Sequence, residues 1–249
     1  MIVAVSDMHI GYEKSNKDDF LRFLDEIKSE KIDHFVLIGD VFDFWRRNSV
    51  KAILENQEVI NEIMELNADN IHYLIGNHDY YVLEWYQKFK DRYPFTVSKD
   101  LRLEDGGNKF YFTHGYEMEV LVNYDLNLET YEKFSRDMCW NSDERGSFVS
   151  KIWDTFKSIS REEVDELKLK PSKRKEMENI YRFATSPTKY LFLGLQQDET
   201  LIFGHTHLPF IEEEHKIANT GAWVNEFGKE IQNSYVEIIN GRMELKFFK

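Results

Sequence analysis

The sequence predicts an α/β fold in which two β-sheets pack face to face, with helices outside them and a helical segment inserted before the last strands. Three observations point there. Strands and amphipathic helices alternate through the first third, later strands join as hairpins, and the strand signal vanishes between residues 116 and 189. A chain of 249 residues, 42% hydrophobic and 15% aromatic, can bury a substantial core in one domain that carries an insertion.

The four apolar residues Ile2 to Val5 predict a buried strand. A helix follows near Asp18–Lys31, where Phe20, Phe23, Leu24 and Ile27 fall at i, i+3, i+4 and i+7 and form one apolar stripe. "HFVLIGD" (34–40) predicts a second strand, a helix follows around Val50–Leu66, and "IHYLIGNHD" (71–79) predicts a third strand. This β-α-β-α-β order implies right-handed crossovers and parallel pairing. "LRLEDGGNKFYFTHG" (101–115) has two strand-like runs about Gly106–Gly107 and predicts a hairpin. "ETLIFGHTH", "HKIANTG", "NSYVEIING" and "RMELKFF" supply further strands.

Residues 116–189 read as a helical cap inserted between core segments 1–115 and 190–249. Stretches such as "ETYEKFSRDMCW" and "KRKEMENIYRFA" are charged, aromatic and helix-like. Tyr124, Tyr131, Phe134, Trp140, Phe148, Trp153 and Phe156 recur at near-helical spacings. Packing within the cap accounts for most of them, and the rest are available to line an apolar or base-stacking pocket.

The formal net charge of −13 argues against stable binding of long nucleic acids, which needs a basic surface. A local basic pocket for a small phosphorylated molecule is compatible with it. The single cysteine excludes an internal disulfide framework and a cysteine-based zinc cluster, and Cys139 reads as a packed helix residue. No apolar run reaches the ~18 residues of a membrane span, and no basic leader with a cleavage site precedes the first strand, so a cytoplasmic protein is expected.

The strands share a second feature: each apolar run ends in metal-type ligands. "VSDMH" offers Asp7 and His9, "LIGDVFD" Asp40, "LIGNHD" Asn77 and His78, "YFTHG" His114, and "IFGHTH" His205 and His207. Ligands of open α/β sheets bind beyond the carboxyl ends of the strands. A lone strand-end histidine is usually structural, but five such segments in order are not explained that way. His34, His72 and His215 lie outside them and read as surface or strand-end residues.

Asp-x-His, Gly-Asp, Gly-Asn-His-Asp, His-Gly and Gly-His-x-His, spread from Asp7 to His207, resemble the signature of the calcineurin-like metallophosphoesterases. The resemblance implies a four-layer αββα sandwich around two divalent metal ions. Carried onto this chain, it implies Asp7, His9 and His207 on the first metal, Asn77, His114 and His205 on the second, and Asp40 bridging. Carboxylate, amide and imidazole donors without thiolates make Mn²⁺ the first expectation, with iron, zinc and nickel as alternatives. Two cations would activate a water for in-line attack on phosphorus. By the same resemblance His78 donates a proton to the leaving oxygen, tuned by Asp79 or another carboxylate.

The substrate is expected to be a phosphorylated small molecule, nucleotide or lipid-linked, cleaved at a phosphodiester or pyrophosphate bond. Protein phosphatases of the superfamily carry Arg-Gly after the second Asp and Gly-Asn-His-Glu, where this chain has Phe44-Trp45 and Gly-Asn-His-Asp. "GDVFDFW", "FGHTHLP" and a preceding helical insertion resemble the UDP-2,3-diacylglucosamine diphosphatase branch. That branch has Arg at the position of His78 and a shorter cap, which favours a related phosphodiesterase or pyrophosphatase. Arg46 and Arg47 are placed to reach a second phosphate, since guanidinium matches phosphate oxygens bidentately. Two alternatives share the fold. A nuclease of the same superfamily is opposed by the acidic charge, and a non-catalytic scaffold by the intact ligand set and His78. The oligomeric state is open.

Overall fold

An unbroken apolar run makes one of the two central strands of the first sheet. β1 (Ile2–Val5) is buried throughout and alternates its side chains between two interiors. Val3 and Val5 pack with Phe20, Phe23 and Leu24 of α1 (Lys17–Ile27), the stripe read from the sequence. Ile2 and Ala4 point the other way, into the layer shared with the second sheet. The chain is described here as a computed structural model, covering residues 1–122, 127–140, 171–226 and 228–249.

The first sheet adds β2 (Ile32–Ile38), β3 (Ala68–Leu74), β4 (Thr96–Ser98), β10 (Ser234–Ile239) and β11 (Arg242–Phe247), in the order β11-β10-β1-β2-β3-β4. β1 to β4 run parallel, as their crossovers require, and β10 and β11 close the other edge as an antiparallel hairpin. The second sheet has the order β5-β6-β7-β9-β8, from β5 (Asp100–Asp105), β6 (Asn108–Thr113), β7 (Glu199–Phe203), β8 (Phe210–Glu212) and β9 (Ile217–Asn219). β5 and β6 form the expected hairpin about Gly106 and Gly107, both at positive φ.

Three apolar layers hold this together. Ile2, Ala4, Val36 and Ile38 meet Phe110, Phe112, Ile202 and Ala218 between the sheets. Outside the first sheet lie α1, α2 (Ser49–Glu55), α3 (Gln57–Met64) and α4 (Tyr81–Phe89). Outside the second, Met118 of α5 (Tyr116–Val122) and Ile180 and Ala184 of α7 (Pro171–Thr185) cover Tyr111, Leu201 and Phe203. The result is the α/β fold of two face-to-face sheets flanked by helices.

The structure departs from the sequence reading in several elements. The helix expected around Val50–Leu66 is two helices, because Asn56 turns its amide back onto the Ala52 carbonyl at 2.7 Å and leaves helical geometry. The third strand starts at Ala68 and ends at Leu74, leaving 75–79 as a loop. α4, β4 and β8 were not anticipated; the two strands are three-residue sheet edges with too little periodicity to read.

The segment expected to form a cap begins and ends in helices that cover the second sheet, α5, α7 and α8 (Thr188–Phe192). Between them α6, described over 128–140, packs Tyr131 on Tyr116 and Phe134 on Trp45, with ring centroids 5.9 and 5.5 Å apart. Trp140 is 64% exposed beside Tyr81. Tyr124, Phe148, Trp153 and Phe156 lie outside the described residues. Among the described residues no helix is long and apolar enough to cross a membrane.

Candidate metal centre

Five of the seven expected ligands sit in backbone that side-chain-bearing residues rarely adopt. Asp7, His9, Asp40, His205 and His207 have φ of 56°, 46°, 52°, 64° and 61°. The other described non-glycine residues at positive φ are Lys216, Asn233 and Asn240. Such conformations cost on the order of 1–3 kcal/mol each and persist where the surroundings over-determine them. Here each strand stops and the chain turns sharply, aiming the side chain beyond the sheet edge.

All seven side chains meet in one chain of contacts between the sheets. His207 Nε2 lies 3.3 Å and His9 Nε2 3.8 Å from Asp7 Oδ1, and the two ring nitrogens are 3.2 Å apart. Asp40 Oδ2 stands between His9 Nε2, at 3.6 Å, and His114 Nε2, at 3.4 Å. His114 Nε2 is 3.2 Å from Asn77 Oδ1, and the His114 and His205 ring centroids are 5.1 Å apart. Asp40 is thus central, with Asp7, His9 and His207 on one side and Asn77, His114 and His205 on the other.

The remaining ring nitrogens are engaged from behind. His9 Nδ1 lies 3.2 Å from Asp43 Oδ2, His114 Nδ1 donates to the Ile38 carbonyl at 2.8 Å, and His207 Nδ1 faces Glu226 Oε2 at 3.3 Å as an ion-pair contact without hydrogen-bond geometry. His205 is pinned at the other nitrogen, its Nε2 lying 2.8 Å from Glu119 Oε2. An imidazole held at one nitrogen by an oxygen presents the lone pair of the other, the arrangement of metal-ligating histidines.

The donors fit a cation better than they fit each other. Asp7 Oδ1 is buried without a hydrogen bond of acceptable geometry although two imidazoles face it. His9 Nε2 and His207 Nε2, like atoms, point into the same space. Asp7, His9 and His207, and likewise Asp7, Asp40 and His114, each bring one ligand atom within 4.8 Å of the others. Carboxylate and amide oxygens with imidazoles suit divalent metals of intermediate hardness.

Electrostatics follow the burial. Burial pushes the Asp7 and Asp40 carboxyls up, but His207 and His114 beside Asp7, and His114 and His78 beside Asp40, bring both below the usual range. Burial lowers His114, and Asp40 and Asp7 overcome this to raise it to about 10.

His78 stands beside this hollow. Its Nδ1 is 3.0 Å from Asp43 Oδ1, its backbone N–H donates to Asp40 Oδ1 at 2.8 Å, and its ring stacks on Trp45 with centroids 4.2 Å apart. Its carboxylate partner is therefore Asp43. Asp79 is spent on the loop itself, accepting from Val41 N at 2.8 Å, Gly76 N at 2.6 Å and the Tyr73 hydroxyl at 2.6 Å. Burial lowers the His78 pKa, and Asp43 and Asp40 only partly offset this.

Arg46 closes the arrangement by pairing Nη1 with the fully buried Asp43 and lying over the Tyr12 ring at 4.3 Å. Arg47 points elsewhere, its Nε donating to Glu55 at 3.0 Å and its Nη2 pairing with the same carboxylate. It lines a cleft of about 580 Å³ with Tyr12, Lys17 and Asn56.

Glycines make the crowding sterically allowed. A Cβ on Gly76 would stand 2.1 Å from Asp40 Oδ1, and one on Gly204 2.4 Å from Asp7 Oδ2. Asn219 ties down the Gly-His-Thr-His turn, donating to the Gly204 carbonyl at 2.6 Å. Sequence reasoning missed Asp43, Glu119 and Glu226. Only Asp43 had a signal, as the second carboxylate of "GDVFD".

Two face-to-face sheets with imidazole and carboxylate donors gathered at their strand ends define a class: proteins built to hold metal ions at a sheet edge. Residues 1–209 match the calcineurin-like phosphoesterase family, and the chain belongs to it. It is a metal-dependent phosphoesterase. Similar solved structures include an archaeal phosphodiesterase, 14% identical over 98% of both chains with a TM-score of 0.45. A single-substitution variant of Vps29 from Entamoeba histolytica is 14% identical over 98% of this chain and 96% of that one, with a TM-score of 0.41. A dimetal phosphatase from Danio rerio is 12% identical over 98% and 94%, with a TM-score of 0.47. No curated protein sequence matches.

Proposed function

We propose that this enzyme hydrolyses a phosphodiester or a nucleotide-type pyrophosphate at a pair of divalent cations, manganese in the native state, in the cytoplasm. The observation that carries the reading is the convergence of three imidazoles, His9, His114 and His207, whose Nε2 atoms face the Asp7, Asp40 and Asn77 side-chain oxygens. In this proposal Asp7, His9 and His207 hold one cation, Asn77, His114 and His205 the other, and Asp40 both. Such a pair, when bound, polarises the phosphoryl group and activates water near neutral pH. Manganese is favoured because the donors are oxygen and imidazole nitrogen with no thiolate.

His78 supplies the proton that the leaving oxygen needs. Asp43 holds it at Nδ1, Trp45 fixes the ring plane, and Nε2 is left for the substrate side. A proton carried at Nε2 serves poor leaving groups most. Arg46, steadied between Asp43 and Tyr12, contributes further N–H donors to a second phosphate group. Arg47 joins it only if its pair with Glu55 opens. Residues 116–189 are in this reading an insertion into the core, and its helix α6 rests against Trp45.

The test is turnover by metal-stripped protein resupplied with Mn²⁺. Bis-p-nitrophenyl phosphate, p-nitrophenyl phosphate, cyclic nucleotides, UDP-sugars and single-stranded DNA make a discriminating panel. Cleavage of diesters or UDP-sugars, with the monoester spared and chelation abolishing turnover, is the expected result. Monoester cleavage alone contradicts the substrate class, DNA degradation at physiological salt indicates a nuclease, and silence with metal bound indicates a scaffold.

A further inference from the structure

The four imidazoles are not held alike. His9 and His114 are hydrogen-bonded at Nδ1, His207 faces Glu226 there, and all three leave Nε2 to the centre, whereas His205 is hydrogen-bonded at Nε2. Its partner Glu119 lies on α5, in no motif of the sequence. The same oxygen, Glu119 Oε2, accepts from the Tyr131 hydroxyl at 3.2 Å, and Tyr131 belongs to α6.

That helix is firmly docked. Glu132 accepts from Lys99 Nζ at 2.6 Å, the Tyr80 hydroxyl at 3.0 Å and the Tyr116 hydroxyl at 3.1 Å. Two residues on, Phe134 packs against Trp45, the ring on which His78 stacks, and Cys139 Sγ lies 3.3 Å from the His78 carbonyl. A single helix therefore bears on the proton donor at one end and, through Glu119, on a candidate metal ligand at the other.

We propose that Glu119 is a positioning residue of the second metal position: it holds His205 by Nε2 so that Nδ1 is the ligand, and it couples that ligand to helix α6. A carboxylate behind a ligating imidazole fixes its tautomer and raises its basicity, and removing such a partner costs ~10–100-fold in metal affinity. The proposal rests on the dinuclear reading above.

Binding of Mn²⁺ to the metal-free full chain, followed by calorimetry and electron paramagnetic resonance, tests it without reference to turnover. Wild type should bind two ions and show the coupled spectrum of a pair. Glu119→Ala should weaken one ion ~10–100-fold, leave the other unchanged and give the spectrum of an isolated ion. Glu119→Gln, whose amide oxygen still accepts from Nε2–H, should recover most of the loss, and Tyr131→Phe should weaken the same ion a few-fold. Wild-type affinity for both ions in Glu119→Ala overturns the proposal. So does an equal loss of both, which a merely structural role would give, or a Gln variant no better than Ala. A wild-type protein that binds no pair overturns the dinuclear reading itself, a result distinct from failure of Glu119 alone.

Discussion

His78 and Asp43 show at the scale of single residues how burial becomes chemistry. Asp43 is fully buried and is tolerated there because His9, His78 and Arg46 all face it. His78→Ala should keep both metal ions yet lower kcat by ~10²–10⁴ on substrates with poor leaving groups, a loss read by comparing alkyl with nitrophenyl esters. Undiminished turnover on the alkyl esters would remove His78 from the chemistry. Far from the site, His34 Nδ1 meets His72 Nε2 at 3.0 Å, and burial lowers His72 to about 4. The unfolded chain takes up this proton near ~6.5 and the folded one only near 4, so stability falls as pH drops through that window. His72→Gln should flatten the loss, measured by urea unfolding of metal-free protein between pH 7 and 4; a parallel curve would contradict it. The seven candidate ligands were legible because each stands where an apolar run stops. Glu119 and Glu226 were not, because a partner that acts from behind a ring leaves no spacing rule in its own segment.

The elements themselves divide by how much burial writes their pattern. β1, β2 and α1 were readable because they face two apolar layers or carry one clean stripe, whereas β4 and β8 are short edges with nothing periodic to read. The single helix expected over Val50–Leu66 broke because Asn56 satisfies a backbone carbonyl with its own side chain, a local competition that an apolar stripe does not report. The strand-to-loop junctions matter most for function. At Gly76 there is no room for a methyl group beside Asp40, so Gly76→Ala should cost ~1–3 kcal/mol of stability and weaken metal binding. Gly107, in the β5–β6 turn at φ 81°, has open space around it. Gly107→Ala should cost ~1–2 kcal/mol through its backbone alone and leave metal affinity unchanged. Calorimetric titration of both variants separates the two effects; equal metal affinities would show that crowding at Gly76 is not what shapes the site.

For the whole molecule, the two sheets are a device for bringing distant segments to one edge, since Asp7 and His207 are neighbours only because β1 and β7 lie in facing layers. Cations bound there tie the layers together and should stabilise the fold by mass action. Each site at a hundredfold excess of Mn²⁺ over its Kd contributes ~2.7 kcal/mol, about 5–10 °C in Tm for a chain of this size, and a chelator should reverse it. A Tm indifferent to metal and chelator would separate the ions from the fold. The most direct measurement is anomalous diffraction from crystals soaked in Mn²⁺. The account predicts two peaks ~3.5–4 Å apart, on either side of Asp40 and within reach of Asp7, His9, Asn77, His114, His205 and His207. A single peak, or peaks held by other residues, would contradict it.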